Sequence, residues 1–249
     1  MANDALQTRG PMGLERPSFI KTGDTRGTEN IGVNDIKPPA LRIAQSNSPE
    51  AKRSEKDKYI DGLTEGMFFN SSTREIYGEG PIQIIVINQL GHRNVEFDPN
   101  DKKVVLDFNV PDNDPRTQFS TEVKDGKQVR MKPRATCFYD YLIYVVHDRL
   151  EMMTMSLKST QLKKAKDFNG KLVGSKMPAF SFLWEVTPVP EHGKGNSWYG
   201  LKFAPLGYVS EEQYNVASKQ YDKFAGKTAE DLVERVDADE DGDPDKIPF

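Results

Sequence analysis

The sequence predicts a mainly β protein with added helices, an α+β fold built around an OB-like small barrel. Stretches rich in β-branched and aromatic residues recur through the middle of the chain, and turn signals such as Asp125-Gly126 separate them. Two other stretches carry apolar residues at helical spacing, one after Ser159 and one after Ser210. Short strands, hairpins and a helix within the run of strands are typical of a small barrel or sandwich with added helices.

The strands are predicted from short apolar or alternating runs. Ile82 to Ile87 is apolar on both faces, as in a buried strand, and Ala135 to Val146 has the highest content of β-branched and aromatic residues. The remaining strand candidates are Val104–Phe108, the hairpin around Asp125-Gly126, Leu150–Leu157, Ala179–Thr187 and Ser197–Ala204.

Two helices are predicted from their apolar stripes and caps. In the first, Leu162, Ala165 and Leu172 share a face and Ser159 is a candidate cap. In the second, Ser210 and Gln213 have capping-box spacing. Its apolar stripe is Tyr214, Ala217, Tyr221 and Phe224, and a short helix over 228–236 is expected to follow.

Composition divides the 249 residues into four predicted segments. Residues 1–37 form a flexible arm, because they are rich in Gly, Thr and Asn and lack apolar periodicity. Residues 38–209 form a β-rich core, residues 210–236 form the C-terminal helices, and residues 237–249 form a disordered acidic tail. We expect the core to be the part that binds a ligand.

Composition also limits the cellular compartments in which the protein is expected. The single cysteine, Cys137, excludes an internal disulfide. The first residues contain no apolar run typical of a signal peptide, and the longest aliphatic run, around Ile84 to Ile87, is too short to cross a bilayer. A cytoplasmic location without a membrane partner is therefore expected.

Charge is distributed unevenly. The tail from Asp237 onward contains six acidic residues and one base, Lys246, and so carries −5. Because the whole chain carries −4, the part before the tail carries +1. A nearly neutral body can still bind nucleic acid where its bases are clustered.

The tail finishes in three apolar residues, Ile247, Pro248 and Phe249. Such a tip can insert Phe249 into a pocket of a partner, while the neighbouring acids steer it towards basic surfaces. The predicted partner-binding residues are Asp243, Asp245, Ile247, Pro248 and Phe249.

These residues resemble the tail of bacterial single-stranded DNA-binding proteins and of several phage-encoded ones, which finish in Asp-Asp-Asp-Ile-Pro-Phe. Lys246 departs from the pattern, since an acid is usual there. The segments beginning at Leu157 and Gly195 are more loosely similar to phage DNA-binding proteins. The resemblance implies a phage-encoded protein of the host cytoplasm that binds single-stranded DNA and docks replication, recombination or repair proteins.

Binding of a single strand requires bases for phosphates and aromatic faces for nucleobases. Alternation along one strand places three bases and an aromatic ring on the same side, with a core of Val129, Met131, Cys137, Tyr139 and Tyr141 on the other. Trp198 is a candidate stacking platform, whereas Trp184 is assigned to the core. The predicted DNA-binding residues are Arg130, Lys132, Arg134, Phe138, Tyr144, Lys163, Lys164, Lys166, Trp198 and Lys202.

Two alternatives remain open. Asp112, Glu122 and Lys124 mimic the carboxylate-plus-lysine signature of Mg²⁺-dependent nucleases. The second alternative is an adaptor protein that carries the apolar tip and does not bind DNA. The scattered His92, His147 and His192 do not support a zinc site, so no catalytic residue, metal or cofactor is expected. Oligomerisation is compatible with the sequence.

Overall fold

The computed structural model describes residue 27, residues 29–32, and residues 35–233 except 102, 103, 125 and 194. Most of the predicted flexible arm and the whole acidic tail, 237–249, lie outside these residues. The described chain is mainly β with added helices, which confirms the α+β class.

Eleven strands and three α-helices occur in the described residues. The strands are β1 (Leu41–Ile43), β2 (Phe68–Asn70), β3 (Ile76–Gly78), β4 (Ile82–Phe97), β5 (Val105–Asp107), β6 (Ser120–Lys124), β7 (Lys127–Met131), β8 (Ala135–Val146), β9 (Leu150–Lys158), β10 (Phe182–Gly193) and β11 (Asn196–Tyr208). The helices are α1 (Leu162–Gly174), α2 (Glu211–Phe224) and α3 (Ala229–Leu232). The capping box predicted at Ser210 and Gln213 is present at the start of α2.

The main sheet is antiparallel and open. Its strand order is β11-β10-β4-β8-β9, and β5 pairs with the far end of β4. In place of the expected OB-like barrel, β11 and β9 form two separate edges, and no closed barrel is found in the described chain. The reason is that the central strands are buried on both faces, which favours a layered sheet rather than a barrel with one wet side.

Strand β4 shows how the layers arise. Ile82, Ile84 and Val86 face a core that α1 covers, whereas Ile85 and Ile87 face a second core under α2 and α3. All five side chains are buried, and their β-branched shape suits a strand packed on both sides. The continuous apolar run therefore results from two cores that share one strand.

The small sheet of β1, β2 and β3 packs beside the main sheet and helps to cover its edges. Thr154 of β9 donates its backbone N–H to Pro39 at 2.8 Å, which occupies one edge. At the other edge, Gln45 accepts from Tyr199 N at 2.7 Å and donates to Tyr199 O at 3.0 Å. Covered edges prevent pairing with foreign strands.

A cluster of charged side chains joins the two sheets at the turn between β8 and β9. Glu151 accepts hydrogen bonds from Tyr77 at 2.9 Å and from Asn70 at 2.8 Å, both in the small sheet. His147 lies between the carboxylates of Asp148 and Glu151. Hydrogen bonding to Glu151, and then to Asp148, raises the pKa of His147 despite its partial burial.

Candidate nucleic-acid interface

Strands β6 and β7 form an isolated, exposed ribbon, which we call the basic hairpin and define as Phe119 to Met131. The hairpin predicted around Asp125-Gly126 is confirmed. Its β-strand residues are exposed except for Met131, which is half-buried. Within the hairpin the sequence has three bases and two acids, and Lys132 and Arg134 directly after it raise the net charge of residues 119–134 to +3. The hairpin and the two bases that follow it therefore form a positively charged segment in an acidic protein.

Ion pairs fix the base of the hairpin to the main sheet. Arg134 lies 2.8 Å from the buried carboxylate of Glu96, and Arg116 contacts Glu96 at 2.6 Å and Asp114 at 2.8 Å. Hydrogen bonds from Arg116 lower the pKa of Asp114 to about 2. Arg134 was predicted to contact DNA, but in this structure its charge is shared with Glu96. The Arg134 side chain is nevertheless 70% exposed to solvent.

A second group of predicted residues meets between the start of α1 and β11. Lys164 forms an ion pair with Glu191, and the indole N–H of Trp198 donates to the other oxygen of the same carboxylate at 2.8 Å. Gly200 permits this arrangement, since a Cβ there would lie 2.5 Å from Glu191 Oε1. The structure thus brings Lys164 and Trp198 together, but around an acid that offsets the lysine charge.

The exposed lysines of this group remain available to solvent. Lys163 and Lys166 project from α1, and Lys202 lies on the outward side of β11 between the buried Leu201 and Phe203. Phosphate binding requires such exposure, and all three lysines meet that requirement.

Two predicted stacking residues are buried, and their assignment as exposed aromatic faces is corrected. Phe138 is 2% exposed and the guanidinium of Arg93 lies 4.4 Å from its ring centre, while Tyr144 packs in the core under α2 and α3. Sequence alternation predicted one solvent face for this strand, but β8 is covered on both faces. The predicted stripe is also interrupted, because β7 ends at Met131 and β8 starts at Ala135.

The opposite side of the predicted strand is only partly core. Tyr141 is buried as expected, and Trp184 is buried as well. Val129, however, is exposed on the hairpin, and Met131, Cys137 and Tyr139 are half-buried. Val129 and Met131 lie on the hairpin outside the main sheet, and the first half of β8, with Cys137 and Tyr139, is less completely buried than its middle.

A polar cluster that sequence reasoning missed lies at this far end. His92 Nε2 is 2.8 Å from Asp112 Oδ1, and its ring lies 5.7 Å from that of Tyr139. Burial raises the pKa of Cys137, and the nearby positive charge of Lys166 opposes this effect. Lys166 of α1 and Tyr139, which is two residues along β8 from Cys137, both lie near this thiol. Irregular register in β4 between Gln89 and His92 creates this arrangement, and Gly91, which has a φ of +95° inside the strand, is the sequence signal for it.

The nuclease constellation is divided between different partners. Hydrogen bonds from His92 and then Asn94 lower the pKa of Asp112, whereas Glu122 lies on the hairpin with Lys124 Nζ 3.6 Å from its carboxylate. Across the described residues, no group of three or more His, Cys, Asp or Glu side chains is placed to hold a metal ion.

None of the helices in the described ranges is long and apolar enough to cross a membrane. The predicted partner-binding residues lie outside those ranges; they are Asp243, Asp245, Ile247, Pro248 and Phe249.

Fold and surface together define an α+β protein with a layered antiparallel sheet and an exposed basic hairpin. The family model described as Pam3 phage gp34-like protein matches residues 7–230. The chain therefore belongs to the Pam3 phage gp34-like family, which is a family of phage proteins. Comparison with curated proteins and comparison with solved structures each return no match.

Proposed function

We propose that this phage protein binds single-stranded DNA with little sequence preference and recruits replication, recombination or repair proteins through the segment Asp243–Phe249. The observation that carries the DNA-binding part is the basic hairpin together with Lys132 and Arg134 after it, because residues 119–134 have a net charge of +3 in a chain of net charge −4. Clustered, exposed bases of this kind attract phosphates whatever the total charge.

The lysine surface of α1, formed by Lys163 and Lys166, supplies further phosphate contacts in this proposal. Trp198 is half-buried and its indole N–H is already bonded to Glu191, so only its ring is left to stack on a base. A closed barrel is not required, because an open sheet with bases along one side can also follow a strand. The half-buried ring of Tyr139 is a second stacking candidate beside Lys166.

The test is a fluorescence-anisotropy titration of labelled oligo-dT with the full chain at several salt concentrations. We expect the double variant Lys163→Gln/Lys166→Gln to reduce the slope of log affinity against log salt by about 1.4, since each phosphate contact on a single strand contributes about 0.7. The matched control is Lys219→Gln/Lys223→Gln, which removes the same charge from exposed positions of α2. Absence of oligo-dT binding would overturn the proposal and leave the adaptor interpretation.

The recruiting segment is tested separately. A labelled peptide of residues 237–249 is titrated with a bacterial repair protein that binds the tail of single-stranded DNA-binding proteins, and a second peptide lacking Ile247, Pro248 and Phe249 serves as control. We expect only the complete peptide to bind, because the apolar tip fills the partner's pocket. Deleting the same three residues from the full chain should leave oligo-dT binding intact or stronger. Equal binding of both peptides would contradict the recruiting role.

A further inference from the structure

The two faces of the basic hairpin differ in chemistry. Thr121 pairs with Arg130 and Val123 with Gln128, so these side chains share one face with Phe119. The opposite face carries Glu122 paired with Val129, and Lys124 paired with Lys127. The first face therefore contains no acid in its strands, whereas the second contains a carboxylate 3.6 Å from Lys124 Nζ. We call the first the Arg130 face.

The Arg130 face presents groups that hydrogen-bond to base edges. Arginine pairs with guanine, glutamine with adenine, and threonine with either, while apolar side chains contact the methyl group of thymine. Val123 is 72% exposed and Phe119 is 51% exposed, which leaves apolar surface beside these polar groups. The guanidinium of Arg130 lies 4.0 Å from the centre of the Phe119 ring, which holds it flat against the face.

The dimensions of the basic hairpin suit insertion into a groove of duplex DNA better than binding to a single strand. Five residues per strand, at about 3.3 Å each, give a ribbon roughly 16 Å long. The major groove of B-form DNA is about 12 Å wide and about 8.5 Å deep, and it admits a two-stranded β-ribbon. The major groove of an RNA duplex is too narrow for side chains to read.

An isolated two-stranded hairpin is only marginally stable in water. The apolar side chains Phe119, Val123 and Val129 of this one are only partly buried, with exposed fractions of 51%, 72% and 38%. Insertion into a groove would bury them further and place the Arg130 face, whose strands carry a base and no acid, between two rows of phosphates. Charge complementarity therefore selects nucleic acid, rather than a second protein, as the occupant.

We propose that the basic hairpin enters the major groove of duplex DNA and contacts base edges through Thr121, Gln128 and Arg130. Binding of duplex DNA by the hairpin does not depend on the single-strand proposal. A preference for junctions between single-stranded and duplex DNA does rest on it, because the lysine surface of α1 would then hold the unpaired strand.

The experiment measures anisotropy of the full chain with a labelled 20-bp DNA duplex. Arg130→Gln and Lys127→Gln each remove one positive charge from β7, on opposite faces of the same ribbon. We expect Arg130→Gln to weaken duplex binding about tenfold, as for loss of a base-edge contact. Lys127→Gln should change it by less than about twofold at 0.15 M salt, where distant charges are screened.

Equal losses in the two variants, or equal binding of an RNA duplex, would overturn the groove contact in favour of nonspecific attraction. Failure of the full chain to bind any duplex would also overturn the groove contact. Oligo-dT separates the two proposals, since duplex binding that survives without oligo-dT binding refutes only the single-strand function. A small loss of oligo-dT binding in Arg130→Gln, as for one positive charge removed, together with an about tenfold loss of duplex binding, supports both.

Discussion

Strand β4 and the basic hairpin are both antiparallel β-structure, but they are stabilised in different ways. In β4, Ile84 and Ile85 are completely buried against separate cores, and the strand pairs on both sides. In the hairpin, Val123 and Val129 are exposed, and β6 pairs only with β7. The comparison teaches that stability belongs to the layered sheet, whereas the hairpin keeps apolar and basic groups accessible at the expense of local stability.

The largest effect is expected in the core. The ring of Phe168 packs against those of Phe203, Trp184 and Tyr141 at centre distances of 4.3, 4.9 and 5.6 Å. Phe168→Ala should lower the free energy of unfolding by about 3–5 kcal/mol, because it removes a buried ring and leaves a cavity. Urea unfolding of the two proteins measures this difference in the free energy of unfolding.

The hairpin supplies the matched control for this experiment. Val123→Ala should change the free energy of unfolding by less than about 0.5 kcal/mol, as for other exposed positions. A large loss of stability from Val123→Ala would show that the hairpin contributes to the core and would break the comparison.

An intermediate effect, on oligo-dT binding, is expected from removing the carboxylate of Glu191, which offsets the charge of Lys164. Glu191→Gln keeps one acceptor oxygen for Lys164 or Trp198, replaces the other oxygen by an amide NH2 and removes the negative charge beside the lysine. Oligo-dT binding should strengthen about fivefold at 0.1 M salt, the equivalent of one added phosphate contact. Anisotropy measures the change, with the exposed Glu212→Gln on α2 as the control of equal charge. Equal gains in both variants would indicate net charge alone.

The smallest effect is expected on the pH dependence of stability, from His147 in the charged cluster that joins the two sheets. Because the pKa of His147 is raised in the folded protein, its contribution to stability is fully present below the unfolded pKa of about 6.5 and is lost as pH rises through the folded value. The free energy of unfolding should therefore fall more steeply between about pH 6.5 and 8.5 in the unchanged protein than in His147→Gln. Urea unfolding across this range tests it, and parallel pH profiles would contradict it.

The sequence could predict local structure where a residue pattern is typical of a single type of secondary structure. The apolar run at Ile82 to Ile87, the hairpin at Asp125-Gly126 and the capping box at Ser210 all form as predicted. It could not predict which faces of β8 are covered. Alternation distinguishes two faces, but only tertiary packing decides that Phe138 is buried against Arg93 and Phe97 and Tyr144 under α2 and α3, while Tyr139 is half-buried.

The candidate site divides in the same way. By itself, the sequence determined the α+β class, the bases of the hairpin and the acidic segment that finishes in Ile247, Pro248 and Phe249. Only the tertiary structure decided that Glu191 holds Lys164 and Trp198, and that Arg134 pairs with Glu96. The physical reason is that backbone periodicity is a local property, whereas the partner of a charged side chain depends on residues brought close by folding.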